Sequence, residues 1–289
     1  MDAKVKERMT NPMHNYLRPK KKFPTVWCAG CGNGIVLQSI VSAIDSLGLD
    51  RNKVVLVSGI GCSSRAPVYV DFNSLHTTHG RAIAFASGVK FADPQLKVIV
   101  ITGDGDAVAI GGNHFIHACR RNMDITAIVF NNYIYGMTGG QVSPTTPQSA
   151  FASTSPHGNI DQPFDICELA IGAGASFVAR TTVAHPNLLY QYILQGLKNN
   201  GFSVIEVLVN CPTNFGRRNK LGDAVNMIKS LKEMAITMDS LKSKWMKEQN
   251  IDLSDLEKHI LTGIFTDIKK PRFIENYASL IKRLQRLKD

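Results

Sequence analysis

Two short polar motifs follow two consecutive apolar runs, and their residue types suit a metal-bound phosphate. The turn GDGD at 103–106 comes after the run KVIVIT, and an asparagine pair at 131–132 closes the run ITAIVF. Mg²⁺ takes oxygen ligands and is usually held by one or two carboxylates together with phosphate oxygens. The carboxylate of Asp104, the amide oxygen of Asn132 and the backbone carbonyl of Ile134 would supply such ligands. We therefore predict a site for Mg²⁺ and a diphosphate.

The sequence around the two motifs supports this prediction. Gly103 and Gly105 have no Cβ, so the backbone can approach a diphosphate closely. The helical pattern that follows would direct the positive end of its dipole at the anion. The simpler alternative is that GDGD is only a turn and that the asparagines only end a strand. Both motifs, however, end strands joined by a helix, and parallel strands of this kind bind ligands at their carboxyl edge.

Two common nucleotide-binding motifs do not fit the glycines. The dinucleotide pattern G-x-G-x-x-G fails because Val108 stands where the third glycine is required. The P-loop pattern G-x-x-x-x-G-K-[ST] does not occur in the sequence. Neither class of nucleotide site is therefore expected.

Four of the six cysteines lie in predicted loops that would allow them to meet at one metal centre. Cys28 and Cys31 form a C-x-x-C within a glycine-rich stretch, while Cys62 and Cys211 each follow an apolar strand. Structural disulfides are unusual in the cytosol, where clustered cysteines more often bind metal or do redox work. A 4Fe–4S cluster and a Cys₄ zinc site would use the same four thiolates, whereas a thioredoxin-like dithiol would use only the C-x-x-C pair. Spacing alone leaves cluster and zinc equal.

These motifs in this order resemble the β subunit of 2-oxoacid:ferredoxin oxidoreductases. The resemblance extends from about Trp27 to Arg218, includes the string YGMTGGQVSPTTP after the asparagine pair, and is greatest for the enzymes that use 2-oxoglutarate. It implies a reversible, coenzyme A-dependent oxidative decarboxylation of the 2-oxoacid. It also implies three cofactors, which are thiamine diphosphate, Mg²⁺ and one 4Fe–4S cluster that passes electrons to ferredoxin. The family thus favours a cluster over zinc.

The resemblance also assigns residues to each cofactor. The cluster ligands would be Cys28, Cys31, Cys62 and Cys211. The Mg²⁺ ligands would be Asp104, Asn132 and the carbonyl of Ile134. The residues expected to line thiamine diphosphate are Ile60, Gly61, Cys62, Ser63, His79, Asp104, Gly105, Asp106, Asn132, Gly136 and Met137.

Two further residues are candidates for a catalytic role. His79 precedes a helix in the string TTHGRA. The resemblance implies that this string lies at the cofactor, so we favour a contact with the diphosphate or the substrate over an ordinary core or surface histidine. Arg65 lies three residues past Cys62, and its planar guanidinium would suit a substrate carboxylate. The alternative for Arg65 is a surface salt bridge.

The sequence also predicts partners, because some required parts are missing. Thiamine diphosphate needs a carboxylate beside its pyrimidine ring, yet none of the seven glutamates lies in a loop near the GDGD turn. We therefore expect an α subunit that supplies the pyrimidine half-site, in an (αβ)₂ assembly that is active only when complete. Alternatives are an enzyme for another 2-oxoacid such as pyruvate or a branched-chain acid, a non-oxidative thiamine diphosphate enzyme with structural zinc, and a non-catalytic metal-bound subunit.

The expected fold is α/β, a three-layer thiamine diphosphate-binding fold with a mostly parallel sheet. A basic arm (1–22) would precede the cofactor domain (23–219), and a helical extension (220–289) would follow it. Strands are predicted at 54–58, 97–102, 125–130, 176–180 and 203–209. Helices are predicted at 34–47, 82–90, 107–121, 164–173, 186–198, 223–234, 238–249 and 274–288. The irregular stretch at 143–163 is expected to be a lid or a subunit contact.

Composition narrows the class of protein further. The chain has 289 residues and a net charge of +10, but most of the excess positive charge lies in the first 22 and last 70 residues. Because the central domain is close to neutral, a nucleic-acid binder is not expected. The sequence shows no apolar signal segment and no run of 18 apolar residues. We expect a cytoplasmic protein with no membrane span.

Overall fold

A sheet of eight strands runs through the described part of the chain, which in this computed structural model is residue 11 and the ranges 13–19, 24–241 and 259–287. The strands are β1 (Val54–Ser58), β2 (Asn73–His76), β3 (Lys97–Gly103), β4 (Thr126–Asn131), β7 (Phe177–Thr182), β8 (Ser203–Leu208), β9 (Ala235–Thr237) and β10 (Ile260–Asp267). Their order is β2-β1-β3-β4-β8-β7-β10-β9. Within this sheet β10 is antiparallel to β7, and the other neighbours are parallel. The short strands β5 (Ile134–Tyr135) and β6 (Gln141–Val142) form a separate antiparallel pair.

Helices cover both faces of the sheet. They are α1 (Met13–Tyr16), α2 (Asn33–Ser46), α3 (Ala82–Ala92), α4 (Gly112–Arg121), α5 (Ile166–Gly172), α6 (Pro186–Lys198), α7 (Ala224–Met234) and α8 (Phe273–Gln285). Helices α2 and α6 share one apolar core with one face of the sheet, and α3, α4 and α5 share a second core with the other face. This arrangement confirms the predicted three-layer α/β fold.

Local sequence explains where these elements begin. Every residue of β1, β4 and β8 is buried, as expected for central parallel strands with apolar, β-branched runs. Asp165 caps α5 by accepting a hydrogen bond from the Glu168 amide, and Asp223 caps α7 in the same way from the Asn226 amide. Pro186 opens α6, where its missing N–H leaves no helical hydrogen bond unmade.

The helix predicted at 107–121 is interrupted. The chain forms a π-helical turn at Gly105–Ala109, and α4 begins only at Gly112. A Cβ at Gly111 would lie 2.2 Å from the Asp106 carbonyl oxygen, so the backbone closes tightly at this point. The apolar periodicity continues across the break, which explains why the sequence pattern predicted one helix.

The segment after residue 219 is not purely helical as predicted. Strand β10 pairs with β7 and extends the main sheet, and β9 pairs with β10. The sequence ILTGIFTD of β10 contains glycine and two threonines, so it lacks the continuous apolar run that identified the central strands. Helices α7 and α8 lie where helices were predicted, while most of the predicted helix at 238–249 lies outside the described residues.

Part of the predicted N-terminal arm packs against this chain's own sheet. Leu17 pairs with Val70 in an isolated bridge, and Arg18 donates hydrogen bonds to the carbonyl oxygens of Val70 and Phe72. The ring of Tyr16 stacks on that of Phe72 at 5.2 Å. Residues 13–18 therefore cover this chain's own sheet edge, whereas residues 1–10 lie outside the described part.

Candidate active site

Four neighbouring strands end at one edge of the sheet, and each is followed by a predicted site segment. Strand β1 leads to the Cys62 loop, β3 to the GDGD turn, β4 to the asparagine pair and β8 to Cys211. Their adjacency in the order β1-β3-β4-β8 brings segments from across 150 residues of sequence together. This is the carboxyl edge at which parallel sheets bind ligands.

A cavity of about 120 Å³ opens between these segments. It contains every residue predicted to hold the diphosphate or its metal. The residues that line it are Asn33, Ile60, Gly61, Cys62, Ser63, His79, Gly103, Asp104, Gly105, Asp106, Phe130, Asn132, Ile134, Tyr135, Gly136, Met137 and Thr138.

Two polar side chains of this cavity are buried without a hydrogen-bond partner. Within the described part of the chain, the Ser63 hydroxyl and both polar atoms of the Asn33 amide make no hydrogen bond. Buried polar groups are nearly always paired in folded proteins. A hydroxyl and an amide that face a cavity in this state fit a ligand with several oxygen acceptors, such as a diphosphate.

Asp104 is the carboxylate best suited to a metal ion. It is 4% exposed, and its Oδ2 accepts hydrogen bonds from Ser143 Oγ at 2.6 Å and Thr145 Oγ1 at 2.7 Å. Burial raises the pKa of Asp104 to about 6, although the two hydroxyls oppose this shift. A divalent cation in the cavity would stabilise the charged carboxylate and lower that pKa again.

Asp106 lines the cavity as predicted and also joins neighbouring loops. Its buried carboxylate accepts hydrogen bonds from the Gly80 amide at 2.6 Å, the Ile60 amide at 3.3 Å and the Thr102 hydroxyl at 2.9 Å, and it lies 2.5 Å from His79 Nδ1. Its side chain therefore fixes the loops after β1 and β2 to the GDGD turn, while the predicted contact with the cofactor stays a prediction.

The asparagine pair divides its two side chains between the cavity and the core. Asn132 lines the cavity, and its Oδ1 accepts a hydrogen bond from the Ile134 amide at 3.3 Å. The Asn131 side chain points into the core, where its Nδ2 donates a hydrogen bond to Glu206 Oε1 at 2.7 Å. Tyr133 has a φ of 63°, and this left-handed residue turns the chain so that Ile134 also reaches the cavity.

The four predicted cluster cysteines converge beside the cavity. Burial raises the pKa of the Cys31 thiol to about 12, with further increases from the nearby Cys211, Cys62 and Cys28 sulfurs. Burial likewise raises the pKa of Cys62 to about 11, again with contributions from Cys211 and Cys28. A Cβ placed on Gly136 would lie 3.6 Å from the Cys62 sulfur and 3.7 Å from the Cys211 sulfur. Gly136 lines the cavity too, so the cysteines and the diphosphate site are adjacent.

The spacing of these sulfurs is wide. Within the described residues, no three of the four cysteine sulfurs lie within 4.8 Å of one another. A tetrahedral zinc site, with Zn–S bonds of about 2.3 Å, would need sulfurs roughly 3.8 Å apart. The arrangement therefore leaves room for a group larger than a single ion. The remaining cysteines, Cys119 and Cys167, are fully buried in the core that contains α4 and α5.

The two candidate catalytic residues differ in position. His79 lines the cavity, and Asp106 holds its Nδ1, which leaves Nε2 for a ligand. Arg65 lies in a short 3₁₀ helix at Ser63–Val68, is half-buried, and does not line the cavity. The predicted contact between Arg65 and a substrate carboxylate therefore stays a prediction.

A second acidic group, formed by Asp165, Cys167 and Glu206, superficially resembles a metal site. Its ligand atoms lie within 4.8 Å of one another, but Arg180 already occupies the position of a cation. Arg180 Nε is 2.7 Å from Glu206 Oε2, and its Nη2 is 2.5 Å from Asp165 Oδ1. The group is thus a buried ion-pair network.

Several residues of the site were not predicted from the sequence. Asn33 lines the cavity from the start of α2, and Ser143 and Thr145 reach Asp104 from the irregular stretch after β6. All three are common polar residues with no characteristic spacing to the GDGD turn. The string SPTTP is part of the family resemblance, but nothing in its composition indicates the contact between Ser143 and Asp104, which lie 39 residues apart.

Comparison with known proteins agrees with this geometry. The sequence model of the thiamine pyrophosphate enzyme C-terminal TPP binding domain matches residues 59–207. The 2-oxoglutarate synthase subunit KorB of Methanocaldococcus jannaschii is 50% identical over 275 residues, which cover 95% of this chain and 99% of that protein. The subunit of the same name from Methanothermobacter thermautotrophicus is 49% identical over 95% of this chain and 93% of its own length. The chain belongs to the KorB family of 2-oxoglutarate synthase subunits.

A solved structure supports the same assignment for this KorB-family chain. The 2-oxoglutarate:ferredoxin oxidoreductase from Magnetococcus marinus, solved with 2-oxoglutarate, coenzyme A and succinyl-CoA bound, matches with a TM-score of 0.81 and 31% sequence identity. The match covers 94% of this chain and 90% of that one. These comparisons confirm the family that the sequence motifs indicated, together with its α/β fold.

Among the described helices, none has the length and apolar character that a membrane span would require.

Proposed function

We propose that this chain is the β subunit of a 2-oxoglutarate:ferredoxin oxidoreductase. The reaction converts 2-oxoglutarate, coenzyme A and two oxidised ferredoxins to succinyl-CoA, CO₂, a proton and two reduced ferredoxins, and it is reversible. The observation that carries the proposal is the shared wall between the GDGD cavity and the four cysteines, where Gly136 faces both. A thiamine cofactor in the cavity and a redox centre at the cysteines would be neighbours, which suits oxidative decarboxylation.

Thiamine diphosphate would bind in the cavity through its diphosphate. Asp104, Asn132 and the carbonyl of Ile134 would hold its Mg²⁺, and the unpaired Ser63 hydroxyl and Asn33 amide are suited to diphosphate oxygens. When bound, this cofactor supplies the electron sink that decarboxylation of a 2-oxoacid requires. The chain's own residues orient it, since Asp106 fixes the loops at Ile60 and His79 that border the cavity.

The four converging cysteines would hold one 4Fe–4S cluster. Because no three of their sulfurs lie within 4.8 Å of one another, a cluster fits them better than a zinc ion, which would need closer sulfurs. The resemblance of the sequence motifs favours the same choice. The cluster would give electrons from the cofactor a route to ferredoxin.

Two features support the requirement for an α subunit. Among the described residues, the carboxylates that line the cavity are Asp104, which we assign to Mg²⁺, and Asp106, which is hydrogen-bonded within this chain. Glu206 is buried against Arg180 and Asn131, so it is not available to the pyrimidine ring. In addition, Ile60 and Met137 line the cavity with exposed apolar side chains that a partner would cover. We infer a partner that supplies the pyrimidine half-site and its carboxylate, in an (αβ)₂ assembly.

The substrate assignment rests on the relatives. The KorB proteins named above are subunits of 2-oxoglutarate synthases, and the Magnetococcus marinus enzyme was solved with 2-oxoglutarate bound. Because identity to these proteins extends over almost the whole chain, we propose the same 2-oxoacid here.

Co-purification of the full chain with its α subunit under anaerobic conditions tests the proposal. We expect a brown complex that contains iron and acid-labile sulfide, and that reduces ferredoxin only when 2-oxoglutarate and coenzyme A are both present. A colourless, zinc-containing complex would refute the cluster assignment. Failure of 2-oxoglutarate to support reduction while pyruvate succeeds would refute the substrate assignment.

The matched control is the chain without its partner. We expect the isolated chain to show no 2-oxoacid oxidation, because its cavity lacks the activating carboxylate, and we expect activity when the α subunit is added back. Turnover by the isolated chain, after the absence of α subunit is verified by mass spectrometry, would contradict the inferred half-site.

A further inference from the structure

The segment after β6 contacts the proposed metal ligand Asp104 from outside the cavity. The hydroxyls of Ser143 and Thr145 lie 2.6 and 2.7 Å from the same oxygen of Asp104, Oδ2. All three side chains are at most 4% exposed. Hydrogen bonds to an ionised oxygen are about twice as strong as neutral ones, and burial excludes water that would compete for them.

The position of these hydroxyls determines which oxygen of Asp104 faces the cavity. Asp104 lines the cavity, whereas Ser143 and Thr145 do not. Oδ2 must therefore point away from the cavity, towards the two hydroxyls. Among the described residues, no side chain donates to the other oxygen, Oδ1, although the backbone amides of residues 104 and 105 also contact the carboxylate. Oδ1 therefore has no competing side chain, and we assign it to a cation in the cavity.

The same segment also holds the turn that carries the second predicted metal ligand. The Thr146 hydroxyl donates to the Tyr133 carbonyl at 2.6 Å, next to Asn132. Thr145 Oγ1 also lies 2.9 Å from Asn131 Oδ1, but it has a single proton. The charged carboxylate is the stronger acceptor, and Asn131 Oδ1 is already paired with the Tyr133 amide at 3.1 Å. Thr145 therefore donates to Asp104.

We propose that Ser143 and Thr145 are positioning residues for the metal ligand Asp104. Their hydroxyls occupy Oδ2 and hold the carboxylate plane so that Oδ1 is aimed at Mg²⁺ before the metal arrives. The inference rests on the proposed binding of Mg²⁺ and thiamine diphosphate at this site. It extends that proposal by giving the irregular segment at 143–146 a role in metal affinity.

The variant Thr145→Val tests the inference because it keeps the shape of the side chain and removes the hydroxyl. In the αβ complex, we expect the Mg²⁺ concentration needed for half-maximal thiamine diphosphate binding to rise on the order of tenfold, the effect of losing one hydrogen bond to a charged group. Binding at saturating Mg²⁺ should return close to the wild-type level. Ser143→Ala should act in the same direction, and Thr145→Ser should restore the wild-type Mg²⁺ requirement.

Thr126→Val is the matched control. Thr126 is also a buried threonine, but it begins β4, at the opposite end of that strand from the asparagine pair, and its hydroxyl donates to the Gly196 carbonyl at 3.1 Å. Titration calorimetry of thiamine diphosphate at a series of Mg²⁺ concentrations measures the effect without reference to turnover. Iron content, measured on each preparation, reports whether the fold around the cysteines is intact.

The possible results distinguish a failure of the positioning role from a failure of the proposed function. Absence of Mg²⁺-dependent binding in the wild-type complex would refute the proposed cofactor site itself. If the wild type binds but Thr145→Val and Ser143→Ala keep its Mg²⁺ requirement, the positioning role is wrong. An equal shift in Thr145→Val and Thr126→Val would also overturn it, because general loss of stability would then explain both. A shift in Thr145→Val that Thr145→Ser reverses, with Thr126→Val unchanged, would support it.

Discussion

Serine substitutions at two cysteines should have opposite consequences, which makes them the most informative pair of variants in this chain. Cys211→Ser removes a proposed cluster ligand that is half-buried at the end of β8. Cys119→Ser changes a fully buried core residue on α4. We expect the first to lose the iron–sulfur centre and keep the fold, and the second to lose stability and keep the centre.

The structure sets the expected size of each effect. Cys119 is 0% exposed and packs in an apolar core, so a hydroxyl there would cost about 1–3 kcal/mol when left without a partner. For a protein of this size such a cost lowers the melting temperature by roughly 2–4 °C per kcal/mol. Cys211 is partly exposed, so its substitution should change the stability of the cluster-free protein much less. Its cluster, however, would fall from four cysteine ligands to three.

The purified variant complexes are compared by iron and sulfide analysis, by their visible spectra and by thermal melting. Cys167→Ser is a second core control, since Cys167 is also fully buried and its thiol contacts Glu206 rather than the other cysteines. Equal loss of iron in all three variants would mean that iron content reports general stability. Full iron content in Cys211→Ser would show that the four-cysteine assignment is wrong.

Two further predictions concern the metal and the substrate. Asp104→Ala should abolish Mg²⁺-dependent thiamine diphosphate binding and leave the cluster spectrum intact; unchanged binding by calorimetry would refute the metal assignment. If Arg65 pairs with the distal carboxylate, Arg65→Met should lower kcat/KM for 2-oxoglutarate by roughly tenfold, equivalent to about 1.4 kcal/mol, and affect pyruvate far less. An equal loss on both substrates would assign Arg65 elsewhere, consistent with its position outside the cavity.

The site residues that directly follow strands were predicted well from the sequence, because their positions depend on local features. The runs that became β1, β3, β4 and β8 are continuous and apolar, which is typical of buried parallel strands. Parallel strands end at one edge, so residues directly after them had to lie close together. All residues predicted to line the diphosphate do line one cavity. Their individual roles stay predictions, and Asp106 in addition holds the loops at Ile60 and Gly80.

The parts that the sequence did not predict depend on contacts over long separations. Strand β10 forms through its antiparallel pairing with β7, which lies about 80 residues earlier in the chain. Apolar and polar residues alternate too little in its own sequence to predict a strand there. The hydroxyls of Ser143 and Thr145 meet Asp104 only because the chain folds back from β6 across the ends of β3 and β4. Serine and threonine are common in loops, so neither residue type nor spacing indicates such a contact.

Three buried carboxylates near the site are compensated differently, and this difference is the reason that we propose Asp104 as the carboxylate ligand of Mg²⁺. Glu206 has a fixed cation, because Arg180 lies 2.7 Å away. Asp106 has backbone amides of two loops and the imidazole of His79. Asp104, among the described residues, has two hydroxyls and the amides of residues 104 and 105 but no cationic side chain, and burial raises its pKa to about 6. A cation in the adjoining cavity would stabilise the ionised form of Asp104, whereas Glu206 and Asp106 already have such partners.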